Sequence, residues 1–144
     1  MQNHCNSRTG AQRAPLEAAN ADAAAIAVAA RNLAETLDLK AIVAWTASGT
    51  TAFRIARERP KAPVLALTPN RETASRLALI WGVHALVTND AHDIDDMARR
   101  ACKFAGREGF AKPGERILVV AGVPFGTPGA TNMVRIAVLD GEAH

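Results

Sequence analysis

Short apolar runs alternate with helical segments along this chain, and that alternation constrains the fold more than any other feature. The runs are typical of strands that are buried on both faces of a parallel sheet. They cover residues 41–45, 63–67, 83–87, 117–121 and 133–139. A helical segment separates each of the first three runs from the next, as in a parallel sheet with crossover helices. A loop without a helix precedes the fifth run, so we expect that strand to be antiparallel to the fourth.

The predicted fold is therefore α/β. It is a three-layer sandwich with a five-stranded, mostly parallel sheet, an antiparallel last strand and helices on both faces. Apolar side chains recur on one face of three helices. They are Ile26, Ala30, Leu33 and Leu37 in the first, Ala74, Leu77, Ala78 and Trp81 in the third, and Ile94, Met97, Ala98, Ala101 and Ala105 in the fourth. The second helix is expected over 52–59, before Pro60, and Asn89 or Asp90 is expected to cap the fourth.

One domain is the default for 144 residues. Residues 1–15 are polar and contain no apolar segment of the kind that a secretory signal needs. We predict an irregular, flexible leader over 1–15 and a single domain over 16–140, which begins with the first helix.

Charge and composition exclude several classes of protein. Lys and Arg number 17 against 14 Asp and Glu, the formal net charge is +3, and aromatic residues make up 4%. So small a surplus, with so few rings to stack on bases, argues against nucleic acid as a partner. No apolar run approaches the roughly 20 residues that span a bilayer, so no membrane is expected. Cys5 and Cys102 cannot form a disulfide scaffold, and we expect a cytoplasmic protein.

The turn at residues 46–51 is the strongest candidate for a binding site. It follows a buried strand, opens a helix, and contains no charge. Ligands of parallel sheets bind beyond the carboxyl ends of the strands, and hydroxyls beside a helix N-terminus can hold a phosphate. Capping of the helix by Ser48 or Thr50 is the alternative, and the residues leave both open. Because no Walker A or G-x-S-x-G pattern is present, we expect neither a nucleoside-triphosphate loop nor a Ser48 nucleophile.

Charged side chains near the predicted strand ends carry weaker signals. The residues at 90–96 include four Asp and His92, but they lack EF-hand spacing, and we interpret them as the charged first turn of a helix rather than a metal site. His84 alternates with apolar neighbours and is interpreted as structural. Arg54 and Arg57 share a helix face and could lie beside a phosphate, although we favour a solvated face. Arg99, on the predicted fourth helix, could likewise lie beside a phosphate or on a solvated face.

The Gly- and Pro-rich loop at 122–132 is a second loop at a strand end. It suits a lid or binding loop that presents Phe125 to a ligand, or a tight connection with Phe125 packed inward. The residues do not separate these alternatives.

Taken in order, several segments resemble the C-terminal, regulatory α/β domain of pyruvate kinase of the bacterial type. They are residues 41–51 (AIVAWTASGTT), 57–63 (RERPKAP), 67–70 (LTPN), 81–84 (WGVH), 112–114 (KPG) and the stretch from Gly122 to Met133. The resemblance covers about residues 12–138.

The resemblance implies an effector site in this domain. The effector phosphate, from a sugar phosphate or a nucleotide monophosphate, would lie in the loop that matches Thr46, Ser48, Gly49, Thr50 and Thr51, and the loop at 123–131 would close over it. Further contacts would come from Arg99, Phe125, Gly126, Thr127 and Gly129. Many family members place an arginine for a second phosphate on the fourth helix. That position falls on Met97 in one alignment and on Arg99 in another.

The resemblance also implies what this chain does not do alone. The full enzyme transfers a phosphoryl group from phosphoenolpyruvate to ADP with Mg²⁺ and K⁺, in a barrel domain that 144 residues cannot hold. We therefore expect no catalytic residue, no metal site, no cofactor and no turnover in this chain. Its expected partners are the effector and either the barrel domain or further copies in a homo-oligomer. A stand-alone interaction or assembly module without effector binding is the alternative function.

Overall fold

The computed structural model describes residues 8–91, 93–121 and 133–140, with side chains from residue 21 onward. Four helices and five strands lie in this part of the chain. The helices are α1 (Arg8–Thr36), α2 (Thr50–Arg57), α3 (Arg71–Leu77) and α4 (Ile94–Arg107). The strands are β1 (Ile42–Trp45), β2 (Val64–Thr68), β3 (Val83–Val87), β4 (Arg116–Ala121) and β5 (Met133–Val138). In the described residues, no helix is both long enough and apolar enough to cross a membrane.

The strands form one sheet in the order β3-β2-β1-β4-β5. The pairs β1–β2, β1–β4 and β2–β3 are parallel, and β5 is antiparallel to β4. In the middle of the sheet, Val43 is in register with Leu65 on one side and Val119 on the other. The predicted α/β fold and its antiparallel last strand are therefore confirmed.

Alternate residues of the central strands pack on opposite faces of the sheet. Val43 and Trp45 of β1 belong to an apolar cluster that includes the inner side of α4. Ile42 and Ala44 belong to a second cluster, which includes residues of α1 and α2 and Leu77 of α3. Three helices therefore cover one face and α4 covers the other, which confirms the three-layer arrangement.

The first helix packs on the sheet through its smallest side chains. Among residues 21–36, whose side chains the structure describes, the buried ones are each at most 2% exposed and are Ala23, Ala27, Ala30 and Ala34. The larger residues Ile26, Leu33 and Leu37 are only partly buried at the rim of this contact, so three of the four residues predicted for the inner face flank it. The start of the helix also differs from the prediction, because α1 continues N-terminally through Pro15 to Arg8. Proline removes one backbone donor, and here that loss does not end the helix.

The apolar stripe predicted for the third helix has the wrong register. The helix ends at Leu77, and Trp81 is 86% exposed rather than buried. The inward side chains are Thr73 and Leu77, followed by the partly buried Ile80. Thr73 is 1% exposed because its hydroxyl donates a hydrogen bond to a backbone carbonyl, the oxygen of Ala47, at 3.0 Å. A polar residue therefore occupies a position that a hydrophobicity pattern assigns to solvent.

The fourth helix begins later than predicted. Asp93 is its N-cap, since Asp93 Oδ1 accepts a hydrogen bond from the backbone N–H of Asp96 at 2.7 Å, so the prediction of Asn89 or Asp90 as the cap is wrong. Ile94 lies in the first turn and is 39% exposed. The rest of the predicted stripe is buried, namely Met97, Ala98, Ala101 and Ala105.

Candidate anion-binding site

The loop at residues 46–51 joins β1 to α2 at the carboxyl edge of the parallel strands. Thr46 Oγ1 accepts a hydrogen bond from the backbone N–H of Gly49 at 2.7 Å, which closes a tight turn. Gly49 has φ = 94°, in the left-handed region. A Cβ at this position would lie 3.3 Å from Thr73 Cγ2 and 3.4 Å from Leu77 Cδ2. Glycine adopts this conformation without strain and lets the loop lie close to α3.

Of the five residues predicted to bind phosphate, the four with hydroxyl groups fall into two groups. Thr46 and Thr51 are buried, at 8% and 6% exposure. Ser48 is exposed and Thr50 is partly buried, and their hydroxyl oxygens lie 3.0 Å apart. The N-cap residue is Gly49, which makes no side-chain cap. The Thr50 N–H donates to Ser48 Oγ at 3.5 Å, the long limit for such a bond. Capping therefore accounts for little of the polar character of this loop.

The third helix holds the backbone of the loop in place. The Thr73 hydroxyl donates to the Ala47 carbonyl oxygen at 3.0 Å. Arg76 Nη2 donates to the Ser48 carbonyl oxygen at 3.2 Å and to Thr73 Oγ1 at 3.3 Å. Two consecutive carbonyl groups of the loop are thus bonded to α3, and the loop keeps one shape relative to that helix.

A cleft of about 330 Å³ lies between this loop, α2 and α3. Its wall is formed by Ser48, Gly49, Thr50, Phe53, Arg54, Arg57, Arg76, Leu77 and Ile80. Three of these residues are arginines, and no acidic residue of the described chain lies on the wall. Guanidinium groups and a helix N-terminus both favour a negatively charged ligand. The volume is in the range of small-molecule sites, and the arginines make the wall basic.

The cleft also has an apolar side. The guanidinium carbon of Arg57 lies 5.7 Å from the centroid of the Phe53 ring, within the range of a cation–π contact. Leu77 and Ile80 of the α3 region complete this side. A ligand with one charged end and a less polar body would match both parts of the wall.

Sequence reasoning finds only part of this cleft. It names Arg54 and Arg57 but favours a solvated face for them, and the structure puts both on the wall. It gives no role to Arg76. The available signal is the spacing of Thr73, Arg76 and Ile80, which puts them on one side of the α3 segment. Right-handed crossovers from β1 to β2 and from β2 to β3 place α2 and α3 on the same face of the sheet.

The other predicted effector contacts do not join the cleft in the described part of the chain. Arg99 belongs to α4, which covers the opposite face of the sheet, and its Nη2 lies 2.8 Å from Asp96 Oδ1. Met97, the alternative position for the family arginine, is 1% exposed in the core. The remaining predicted contacts lie outside the described residues: Phe125, Gly126, Thr127 and Gly129.

The acidic residues of α4 bind the protein's own arginines. Asp96 is 6% exposed and pairs with Arg99 at 2.8 Å and with Arg100 at 3.1 Å. Asp95 pairs with Arg135 of β5 at 3.0 Å. Among the described residues, no group of three or more His, Cys, Asp or Glu side chains could hold a metal ion. The two ion pairs of Asp96 lie within α4, and the ion pair of Asp95 joins α4 to β5 at the edge of the sheet.

Neither His84 nor Cys102 lies on the cleft wall, and both contact other residues of the fold. His84 Nε2 is 2.9 Å from Glu108 Oε1, and its ring meets the Phe110 ring edge to face at 5.5 Å. Cys102 is buried against the sheet, and this burial raises the pKa of its thiol. A buried thiol with a raised pKa reacts slowly as a nucleophile.

Comparison with known proteins identifies the family. The family model described as "Pyruvate kinase, alpha/beta domain" matches residues 24–137, which is most of the chain and includes the whole cleft. The chain belongs to the pyruvate kinase family. The resemblance of the sequence to the C-terminal domain of pyruvate kinase is thereby confirmed.

Curated pyruvate kinases are similar over most of this chain. The enzyme of Methylorubrum extorquens is 60% identical over 132 residues, which is 92% of this chain and 27% of the enzyme. A pyruvate kinase of Agrobacterium vitis is 45% identical over 112 residues, or 78% of this chain and 24% of that protein. The enzyme of Geobacillus stearothermophilus is 39% identical, with 80% of this chain and 20% of the enzyme covered. The chain spans about a quarter of the length of these relatives.

Proposed function

We propose that this chain is a regulatory domain of pyruvate kinase and that the cleft beside residues 46–51 binds the phosphate of an effector. The effector is a sugar phosphate or a nucleotide monophosphate. One observation carries the proposal: three arginines and the hydroxyl residues Ser48 and Thr50 share one wall, on which no acidic residue of the described chain lies. Phosphoryl transfer from phosphoenolpyruvate to ADP, with its Mg²⁺ and K⁺, is assigned to the part of the kinase that this chain does not match.

The arginines supply most of the attraction for the phosphate. A phosphate monoester carries a charge of about −1.5 to −2 at neutral pH, and a planar guanidinium can donate two parallel hydrogen bonds to its oxygens. Arg54 and Arg57 approach from α2, and Arg76 approaches from α3. Arg76 has a second role, because its bond to the Ser48 carbonyl holds the loop in place.

The loop orients the phosphate in the cleft. The Ser48 and Thr50 hydroxyls lie on the wall 3.0 Å apart, close enough to donate to two oxygens of one phosphate. The N-terminus of α2 adds its partial positive charge at the same place. Phe53, Leu77 and Ile80 would contact the rest of the effector.

Calorimetric titration of a paired hydroxyl variant tests the proposal. The probes are glucose 6-phosphate, fructose 1,6-bisphosphate and AMP. A hydrogen bond to a charged group contributes about 1.5–3 kcal/mol, so we expect the Ser48→Ala/Thr50→Ala variant to bind the best probe at least about 10-fold more weakly. The matched control is Ser75→Ala, an exposed serine of α3 that is not on the cleft wall.

Two results would contradict the proposal. One is equal affinity of the paired variant and the control. The other is no heat with any of the three probes. If that second result comes with a concentration-dependent dimer in sedimentation, an assembly module without effector binding is the better description.

A further inference from the structure

Arg76 uses a single nitrogen for both of the hydrogen bonds that it donates in the described part of the chain. Its Nη2 donates to the Ser48 carbonyl oxygen at 3.2 Å and to Thr73 Oγ1 at 3.3 Å. Nη2 carries two hydrogens, and these two acceptors take them. Among the residues that the structure describes, the Nε–H and the two hydrogens of Nη1 are then left for a ligand in the cleft.

A forked contact between an arginine and a phosphate always includes Nη2. The planar guanidinium offers two forks, one from Nη1 and Nη2 and the other from Nε and Nη2, and each presents two parallel N–H groups to two oxygens. In Arg76 the Nη2 side of both forks is occupied as long as Ser48 and Thr73 accept from it. A phosphate that binds through a fork must therefore replace one of these two acceptors.

The Ser48 carbonyl is the acceptor that is replaced more easily. Its bond to Arg76 lies at the exposed surface, whereas the bond to Thr73 is partly buried, so water can hydrate the Ser48 carbonyl once the guanidinium leaves it. The distance of 3.2 Å is also longer than the usual value of about 2.9–3.0 Å. A phosphate competes well for Nη2, because hydrogen bonds to an ionised acceptor are shorter and stronger than those to a neutral carbonyl.

We propose that the effector phosphate takes Nη2 of Arg76 from the Ser48 carbonyl and so releases the loop from α3 at that residue. This inference rests on the proposed phosphate site. The loop stays attached one residue earlier, because the Thr73 hydroxyl donates to the Ala47 carbonyl at 3.0 Å. Gly49 follows the released carbonyl, and a glycine allows that peptide to rotate with the least steric restriction. Arg76 thereby couples occupation of the cleft to movement of Ser48 and Gly49.

Carbonyl resonances of the ¹³C,¹⁵N-labelled chain test this exchange of partners. The probe is whichever of glucose 6-phosphate, fructose 1,6-bisphosphate and AMP binds most tightly in calorimetry. Loss of a hydrogen bond moves a carbonyl ¹³C resonance to lower frequency, so we expect the Ser48 resonance to move in that direction as the probe binds. The Ala47 carbonyl resonance should stay in place, because its bond from Thr73 is kept.

Arg76→Met supplies the comparison without ligand. It removes an exposed guanidinium, so the fold should be kept, and the Ser48 carbonyl of the free variant should already resonate at lower frequency. A saturating concentration of the probe should move this resonance little further in the variant, since no bond from Arg76 is left to break. The matched control is Arg71→Met, which removes an exposed arginine of α3 that is not on the cleft wall. The control should leave the Ser48 resonance unchanged.

Three results would overturn the inference. If the probe binds and the Ser48 carbonyl resonance keeps its position, Arg76 does not exchange partners, and the proposed phosphate site stands without this exchange. If the probe moves the resonance equally in the unsubstituted chain and in Arg76→Met, the shift is a direct effect of the ligand. If none of the three probes binds, the proposed function fails and the inference fails with it.

Discussion

Replacement of Thr73 by valine tests how α3 shapes the cleft. Thr73 is 1% exposed, its hydroxyl donates to the Ala47 carbonyl at 3.0 Å, and it accepts from Arg76 Nη2 at 3.3 Å. Thr73→Val keeps nearly the same shape and removes both contacts. The loop then loses one of its two carbonyl bonds to α3, and Arg76 loses one of the acceptors that orient it.

The expected loss of stability follows from these two bonds. A neutral buried hydrogen bond contributes about 1 kcal/mol. The bond from Arg76 adds less than a buried charged one would, because Arg76 is exposed to solvent. We therefore expect Thr73→Val to lower the free energy of unfolding by about 1–2 kcal/mol. For a domain of this size, that corresponds to a melting temperature lower by about 3–10 °C.

The control is Thr73→Ser, which keeps the hydroxyl and removes the Cγ2 methyl group. Loss of one buried methyl group costs about 1 kcal/mol, so the two variants should melt at similar temperatures in circular dichroism. Calorimetry with glucose 6-phosphate should separate them: the valine variant binds about 10-fold more weakly, and the serine variant binds nearly as the parent does. Equal affinity of the two variants would refute the role of the hydroxyl in shaping the loop.

Three further predictions concern the charge and the backbone of the cleft. Arg57 ends α2 with its Cζ 5.7 Å from the Phe53 ring, and Arg107 ends α4 with its Cζ 5.8 Å from the Phe104 ring. Arg57→Gln should weaken binding about 10-fold in calorimetry, and Arg107→Gln, which removes the same charge away from the cleft, should not. The affinity for a phosphate ligand should be lower at pH 5.5 than at pH 7.5, because a phosphate monoester loses charge below its second pKa near 6 while arginine stays charged. Equal affinity at both pH values would count against a phosphate ligand. Gly49→Ala forces an alanine into the left-handed backbone conformation, which costs about 1–2 kcal/mol. The melting temperature of this variant should therefore be several degrees lower, and an unchanged melting temperature would contradict the backbone strain.

The strands were predictable because their sequence signal is local. Both β1 and β2 are buried along their whole length, so they appear as unbroken apolar runs. The antiparallel direction of β5 follows from the loop that precedes it, since a parallel crossover needs a longer connection.

Helix faces were less predictable, because the hydrophobicity of a residue does not fix its burial. In α1 the buried residues are alanines such as Ala27 and Ala30, and the larger Leu33 lies at the rim. In α3 the polar Thr73 is buried with its hydroxyl bonded, whereas Trp81 projects into solvent. Both errors come from ranking side chains by apolar character alone.

Half of the candidate site could be found in the sequence. The loop residues are local to the end of β1, where the hydroxyls and a glycine allow either an anion site or a helix cap. Arg76 lies 28 residues from Ser48, and its contact with the loop depends on how α2 and α3 pack side by side. Sequence spacing suggests which helix faces meet but not how close they come, so the three arginines are seen on one wall only in the structure.

The most direct test of the cleft as a phosphate site is a nuclear magnetic resonance titration of the ¹⁵N-labelled chain. Glucose 6-phosphate is compared with glucose, so that the phosphate is the only difference between the two ligands. We expect shifts of the amide resonances of Ser48, Gly49 and Thr50 with glucose 6-phosphate and none with glucose. Shifts centred on Asp93 and Asp96 at the start of α4, or no shifts with either ligand, would contradict the phosphate site.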